Sequence, residues 1–305
     1  MAELNWSDAQ WQKVNDAVTE AFGKASVSSA FLPLYGPVGG GTETVRNERL
    51  IRTAAPQITI ALDAFHQAVN LRLVNLTANV ELSTEQVADE TLSNALLVFR
   101  RAANILALEQ DRVVFAGYGR GFARENSPAV FNRVDPQTGL ADLPARTRFD
   151  PLIRPAGVTL GQILVTAIVK AMNALERNSH PAPFACVVGD TLYEALHDPS
   201  ASLVLPADRV TPLLKGGPLL RTGQIEPDTG IVVSLASNSV DIVVGTPPRV
   251  QFLQRQPNAS FLFRVYERFA LRIRDTATPP VAGFRVVPDE ATILNETARL
   301  VALRA

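Results

Sequence analysis

The hydrophobic positions change period several times along the chain, and each change marks an element. Ser7 and Gln10 have the form of a capping box, and Trp11, Val14, Val18, Ala21 and Phe22 follow at helical spacing, which predicts an amphipathic helix over about residues 8–24. Pro33, Pro37 and the three consecutive glycines that end GPVGGG rule out continued helix in the next stretch. Residues 43–70 show no consistent core face, the pattern of an arm that packs against something outside its own domain. From Leu71 to Leu82, Val74, Leu76, Ala78, Val80 and Leu82 alternate with polar residues and predict a half-buried strand. Ser83 and Gln86 repeat the capping-box pattern. Leu92, Ala95, Leu96, Phe99, Ala103, Leu106 and Val113 then keep one helical face to about residue 115, with a break near Ser93. Roughly 24 residues of helix extend about 36 Å, enough to form the spine of a domain.

The second half is less regular. Residues 117–158 form a loop-rich insertion with five prolines and six arginines. TLGQILVTAIVKAMNALER then predicts a strongly apolar helix, FACVVGD a buried strand and TLYEALHD a short helix. The last third reads as strands at IVVSL, SVDIVVG, RVQFLQR, FLFRVYERFALRIRD and VAGFRVV, and PDEATILNETARLVALRA predicts a short terminal helix. In FLFRVYERFALRIRD, Arg264, Arg268, Arg272 and Arg274 share one face and Glu267 lies on the other. Without repeated βαβ units, this order belongs to the α+β class.

Charge and composition narrow the function classes. Lys and Arg total 29 against 30 Asp and Glu, a formal net charge of -1, which argues against binding polyanions with the whole surface. A nucleic-acid role for the arginine face is disfavoured because Tyr266 is the only aromatic residue there to stack on bases. Acidic side chains across strands or subunits are better partners for it. Cys186, the single cysteine, sits within FACVV and is expected to be a small core residue. The N-terminal MAELNWSDAQWQ has neither a basic nor an apolar targeting pattern, and no run approaches the roughly 18 apolar residues that span a bilayer. A soluble, cytoplasmic protein is the expectation.

Catalytic signals are absent from the pattern. GYGRGF (117–122) has G-x-G-x-G spacing after a predicted helix, the wrong context for a phosphate loop, and GPVGGG fails likewise. His66, His180 and His197 lack neighbours at metal-ligand spacing, no G-x-S-x-G elbow occurs, and the carboxylates are scattered. No catalytic residue, cofactor or metal is expected.

Several segments, in order, resemble the encapsulins, bacterial and archaeal shell proteins with the fold of HK97-type phage capsids. AQWQKVNDAVTEAFGK followed by FLPLYGPVG is similar to the family's N-terminal helix, short strand and G-P-x-G. VNLTANVELSTEQVAD leads into a helix ending LALEQDRVVFAG, similar to the spine helix and its E-D-x-x-F-x-G close, with Gln110 here between the Glu and the Asp. PFACVVGDTLYEAL, LLKGGPLLRTGQI, GIVVSLASNSVDIVVGTPPRVQFL and FRVYERFALRI, with its internal Glu267, complete the match over most of residues 6–281. Where many members have a basic and then an acidic residue before G-P-x-G, this chain has Ser29 and Pro33.

The resemblance implies an α+β, HK97 phage-capsid-like fold with an N-terminal helical segment (1–30), a peripheral domain (31–42, 71–116 and 227–283), an extended loop (43–70), an axial domain (117–226) and a C-terminal extension (284–305). It implies a shell subunit, not an enzyme, that self-assembles into a closed icosahedral nanocompartment with pores. The enclosed cargo would be an enzyme such as a dye-decolorising peroxidase or a ferritin-like protein. Its targeting peptide would lie in a groove near the N-terminal helix, for which Phe31, Leu34, Phe261 and Phe263 are the expected lining. No membrane partner is implied, and none of nucleic acid. The alternative is the major capsid protein of an HK97-type phage or prophage; a soluble enzyme with dispersed carboxylates is a third reading.

Overall fold

The computed structural model describes residues 4–39, 41–53, 59–63, 69–117, 138–143, 152–153, 157–199 and 204–287. Most of the 117–158 insertion, His66 and the expected terminal helix lie outside the described residues. Two compact units make up the chain, the first from residues 1–138 and 241–273, the second from 139–240 and 274–305.

The first unit opens with α1 (Asp8–Ala25). Ser7 caps it as expected: the Gln10 amide donates to Ser7 Oγ at 3.3 Å and the Ser7 amide to Gln10 Oε1 at 2.9 Å. Trp6, just before the cap, meets Trp11 edge to face at 5.1 Å, a hydrophobic staple that fixes how the chain enters the helix. A one-turn 3-10 helix at Ser28–Ala30 leads to β1 (Leu34–Tyr35). Gly36, with φ of +123°, then approaches the chain at Val244 so closely that a Cβ there would lie 2.5 Å from the Val244 carbonyl oxygen.

The stretch that lacked a core face folds into two antiparallel ladders. One joins β2 (Thr44–Asn47) to β5 (Val69–Arg72), and the other joins β3 (Arg49–Thr53) to β4 (Thr59–Asp63). β6 (Val74–Leu82) follows, and the capping box at Ser83 and Gln86 starts α2 (Thr84–Ala88). The predicted break lies at Asp89–Leu92, where Leu92 is left-handed and the Asp89 carboxylate accepts from the amides of Thr91 and Ser93. The spine helix α3 spans Ser93–Ala116.

SVDIVVG and RVQFLQR are one continuous strand, β11 (Val240–Arg255), which turns through Gln256–Ser260 into β12 (Phe261–Ile273). The sheet order is β1-β11-β12-β6, and β12 runs antiparallel to β6 with Phe263 opposite Val80 and Glu267 opposite Leu76. Phe261, Phe263, Val265 and Phe269 are buried on one face of β12, the face on which Glu267 also lies.

The second unit is built on a five-stranded sheet, in order β7 (Leu152–Ile153), β13 (Val281–Val287), β10 (Thr229–Ser234), β8 (Phe184–Val188) and β9 (Leu219–Arg221). The apolar helix α4 (Leu160–Arg177) starts at a third capping box, Thr159 with Gln162. Its Leu164, Ile168, Ala171 and Leu175 share a core with Phe184, Cys186, Val232 and Phe284, and with α5 (Asp190–Leu196) and α6 (Pro206–Val210). Cys186 is fully buried, and burial pushes its thiol up to about 12, so it is an inert core residue. β10 and β13 pair here, although 227–240 and 274–283 were expected with the peripheral segments.

Phe263 lies within stacking or edge contact of Trp6, Phe99 and Phe252. Phe263→Ala is therefore expected to destabilise the subunit by about 3–5 kcal/mol, read as a fall in the denaturant midpoint.

Candidate assembly and cargo surfaces

Three devices hold α1 in place, and each uses residues the pattern alone left unremarked. At its start, Trp6 stacks on Phe263 at 5.0 Å and its indole Nε1 donates to the Val87 carbonyl at 3.0 Å. Along its length, α1 takes the place of a strand beside β11. The Asn15 amide nitrogen donates to the Trp11 carbonyl at 2.9 Å, and this leaves Oδ1 to accept from the Val250 amide at 2.9 Å. One turn later Thr19 Oγ1 donates to the Pro248 carbonyl at 3.4 Å. Even-numbered residues of β11 thus turn their backbone groups to the outer edge, as Ile242 does toward Pro33 and Val244 toward Val38.

The third device anchors the end of α1 to the last turns of α3. Asp111, fully buried, accepts from the amides of Val27 (2.7 Å) and Ser28 (2.8 Å) and from the hydroxyls of Ser28 (2.6 Å) and Ser26 (3.1 Å). Gln110 Nε2 donates to Ser29 Oγ at 2.8 Å and to the hydroxyls of Ser28 and Ser26 at 3.1 and 3.3 Å. Gln110 and Ser29 are two of the places where the chain departs from the resembled pattern, and Gln110 donates to Ser29. An all-donor shell fits an ionised carboxylate, although burial outweighs those bonds and raises the Asp111 carboxyl above its usual range.

β12 separates its charges by face. On the core face Glu267 is buried, Oε1 has no hydrogen-bond partner, and burial together with the Asp111 charge raises its carboxyl well above the usual range. On the opposite face the arginines do different things. Arg272 is buried and makes two bonds to Asp241, from Nε at 2.8 Å and from a terminal nitrogen at 2.6 Å, with the Tyr35 ring 4.5 Å above it. Arg268 donates to the Thr42 carbonyl at 2.6 Å. Arg264 is half-buried, stands opposite Asn79, and has an Nε without a partner. These arginines thus serve structure, and none presents a phosphate-tracking row.

The large exposed apolar side chains among the first unit's described residues lie in three places. Ile60 (68% exposed) and Leu62 (46%) share one side of the β3–β4 ladder with Leu50, Leu62 directly opposite Leu50. Leu34 and Tyr35 form the short edge strand, and Leu97 and Leu108 lie on the outward side of α3. A shallow groove runs between α1 and α3, lined by Lys13, Asp16, Glu20, Lys24, Leu96 and Arg100. The fit to a metal is poor: no group of three His, Cys, Asp or Glu residues that could hold an ion occurs among the described residues.

The four residues expected to line a cargo groove do not share one surface. Phe263 is buried beneath Trp6 of the N-terminal segment and Phe261 is buried beside Phe252, whereas Phe31 is buried against Phe115 near the other end of α3. Phe99 and Phe115, the residues of α3 these rings touch, are separated by about 24 Å of helix. Leu34 is 59% exposed. Apolar character alone does not separate the floor of a core from the wall of a groove.

Comparison with known proteins settles the family. The model for the family described as encapsulating protein for peroxidase matches residues 3–270. The chain belongs to the encapsulin family. It is 23% identical over 283 residues to the type 1 encapsulin shell protein EncA of Myxococcus xanthus, covering 90% of this chain and 92% of that one. It is 24% identical over 277 residues to a diheme-cytochrome-encapsulin shell fusion protein of Kuenenia stuttgartiensis, covering 90% and 72%. A virus-like particle from Pyrococcus furiosus superposes with a TM-score of 0.61 at 14% identity, covering 90% of this chain and 99% of the particle subunit. Mycobacterium phage Bobi gives a TM-score of 0.61 at 15% identity, covering 87% and 91%. The fold is therefore the HK97-like capsid fold, with the mixed helix and sheet expected, and this encapsulin is a shell protein. No helix among the described residues is long and apolar enough to cross a membrane.

Removing Asp241 would strand the Arg272 guanidinium in the interior. Asp241→Ala is expected to cost about 3–5 kcal/mol in chemical denaturation, more than removal of an exposed ion pair.

Proposed function

We propose that this shell subunit assembles with copies of itself into a closed, icosahedral compartment inside the cell and encloses a cargo enzyme. The observation that carries the reading is the β3–β4 ladder. Two strands alone are marginal in water, and this pair exposes Ile60 and Leu62 without a third layer from its own chain among the described residues. A neighbouring subunit supplies the missing layer. Closure of such head-to-tail contacts by rotation makes a finite shell.

Cargo attachment rests on the flank of α1. A peptide in the α1–α3 groove would find Lys13, Lys24 and Arg100 for its acidic groups and Asp16 and Glu20 for its basic ones, and the exposed Leu97, next in sequence to the lining residue Leu96, would serve as an apolar anchor at the rim. Phe261 and Phe263 support that flank from beneath, and Phe31 and Leu34 belong to the chain leaving it. A peroxidase fits the family's description, and the cytochrome fused to the Kuenenia relative is consistent with a redox cargo. A ferritin-like protein is the other candidate.

Electron microscopy of the purified protein tests the assembly: closed particles are expected, and a monomer at every concentration would refute it. Ile60→Asp combined with Leu62→Asp should abolish particles while leaving a folded subunit by circular dichroism. Leu97→Asp should leave particles intact and abolish co-purification of cargo, whereas unchanged loading rules out the groove. Genomic DNA inside particles from the native host would move the assignment to a phage capsid.

A further inference from the structure

Two acidic side chains share the core between α3 and β12, and they are not in the same state. Asp111 is surrounded by donors from Val27, Ser28 and Ser26, as an anion requires. Glu267 has a buried oxygen with no donor, lies within reach of the Asp111 charge, and faces Leu76 across the ladder. An ionised Glu267 would be a second, uncompensated anion in the same dry space. We propose that Glu267 and Asp111 form a proton-operated latch on the N-terminal helix: a protonated Glu267 leaves Asp111 as the sole anion holding Ser26–Ser28, and release of that proton to solvent loosens the hold.

The charged groups around the pair leave few other controls. On α3, Arg112 is engaged by Glu109 at 3.3 Å, and Gln110 is neutral. On β12, Arg264, Arg268 and Arg272 project from the opposite face, and Arg272 is committed to Asp241 of β11, whose other charged residues, Arg249 and Arg255, are exposed. On β6 the neighbours of Leu76 on the same face are the apolar Val74 and Ala78. On α1, Asp8, Lys13, Asp16, Glu20 and Lys24 lie on the exposed or half-buried side. Burial and the Asp111 charge both hold the proton on Glu267.

The sign follows from proton counting. Both carboxyls are raised in the folded state, so the folded protein binds more protons than the unfolded one once pH exceeds the ordinary carboxylate range. Their contribution to stability is full below that range and is lost as pH rises through the folded values. While Asp111 is the anion, the attachment of α1 is strongest with the proton on Glu267 and weakens as rising pH removes it, the reverse of a salt-bridged carboxylate.

Hydrogen exchange on intact particles reads the latch directly, because the Val27 and Ser28 amides both donate to Asp111. As pH rises above the ordinary carboxylate range, after correction for intrinsic base catalysis, their protection should fall roughly tenfold or more in the wild type. In Glu267→Gln the protection should stay flat, since the amide cannot ionise. Equal pH dependence in the two proteins overturns the proposal. If the variant fails to assemble, infrared spectroscopy of wild-type particles replaces it: a carboxylic-acid carbonyl band that shifts on carbon-13 labelling of glutamate should vanish over the same range in which protection falls. Absence of that band at neutral pH, or its persistence while protection falls, equally overturns it.

Discussion

The attachment of α1 depends on one constraint: a carboxylate buried at the end of the spine helix must be surrounded by donors. Asp111 meets that requirement with amides and hydroxyls from Val27, Ser26 and Ser28, and so fixes where the chain leaves α1. From that point the turn at Ser28–Ala30 and the edge strand Leu34–Tyr35 follow in short steps, and β1 pairs with β11 at Ile242 and Val243. Gln110 extends the same grip to Ser29. A buried network of this kind works only when every member is satisfied, and here helix, turn and spine helix are coupled through it.

The sequence was informative wherever a period of two or 3.6 met a clean boundary. α1, the break before α3, β6, α4 and β8 all came from hydrophobic spacing and capping boxes, because burial on one face imposes that spacing. β11 was read as two strands, SVDIVVG and RVQFLQR, which flank Pro247 and Pro248. The structure runs through them: Pro248 stands at an edge-facing position, where its missing N–H costs no ladder bond. The arginines of β12 were placed on the correct face, but their partners Asp241, Tyr35 and Thr42 come from distant segments that spacing cannot connect. The same limit affected the cargo surface. Phe261 and Phe263 have the composition of a binding groove, and only their enclosure by Trp6, Phe99 and Phe252 shows them to be core.

Within the two units, polar and apolar resources are used differently. The second unit encloses α4 with an apolar core and, among its described residues, makes little use of buried charge. The first unit, by contrast, places Asp111, Glu267, Asp241 and Arg272 in its interior and leaves Ile60, Leu62 and Leu97 outside. Buried polar groups fix one arrangement of elements, and exposed apolar groups require a partner to cover them. Both features suit a subunit whose final surroundings are other subunits.

The placement of α1 beside β11 has a further effect. A shell brings many copies of the same sheet to high local concentration, and an open strand edge on each would pair with its equivalent on a neighbour. Asn15 and Thr19 occupy the backbone groups of Val250 and Pro248 from the side of a helix, which offers no continuing edge to the next molecule. The N-terminal helix therefore acts against cross-subunit sheet growth and the aggregates it would seed, leaving geometrically closing contacts as the way for copies to meet.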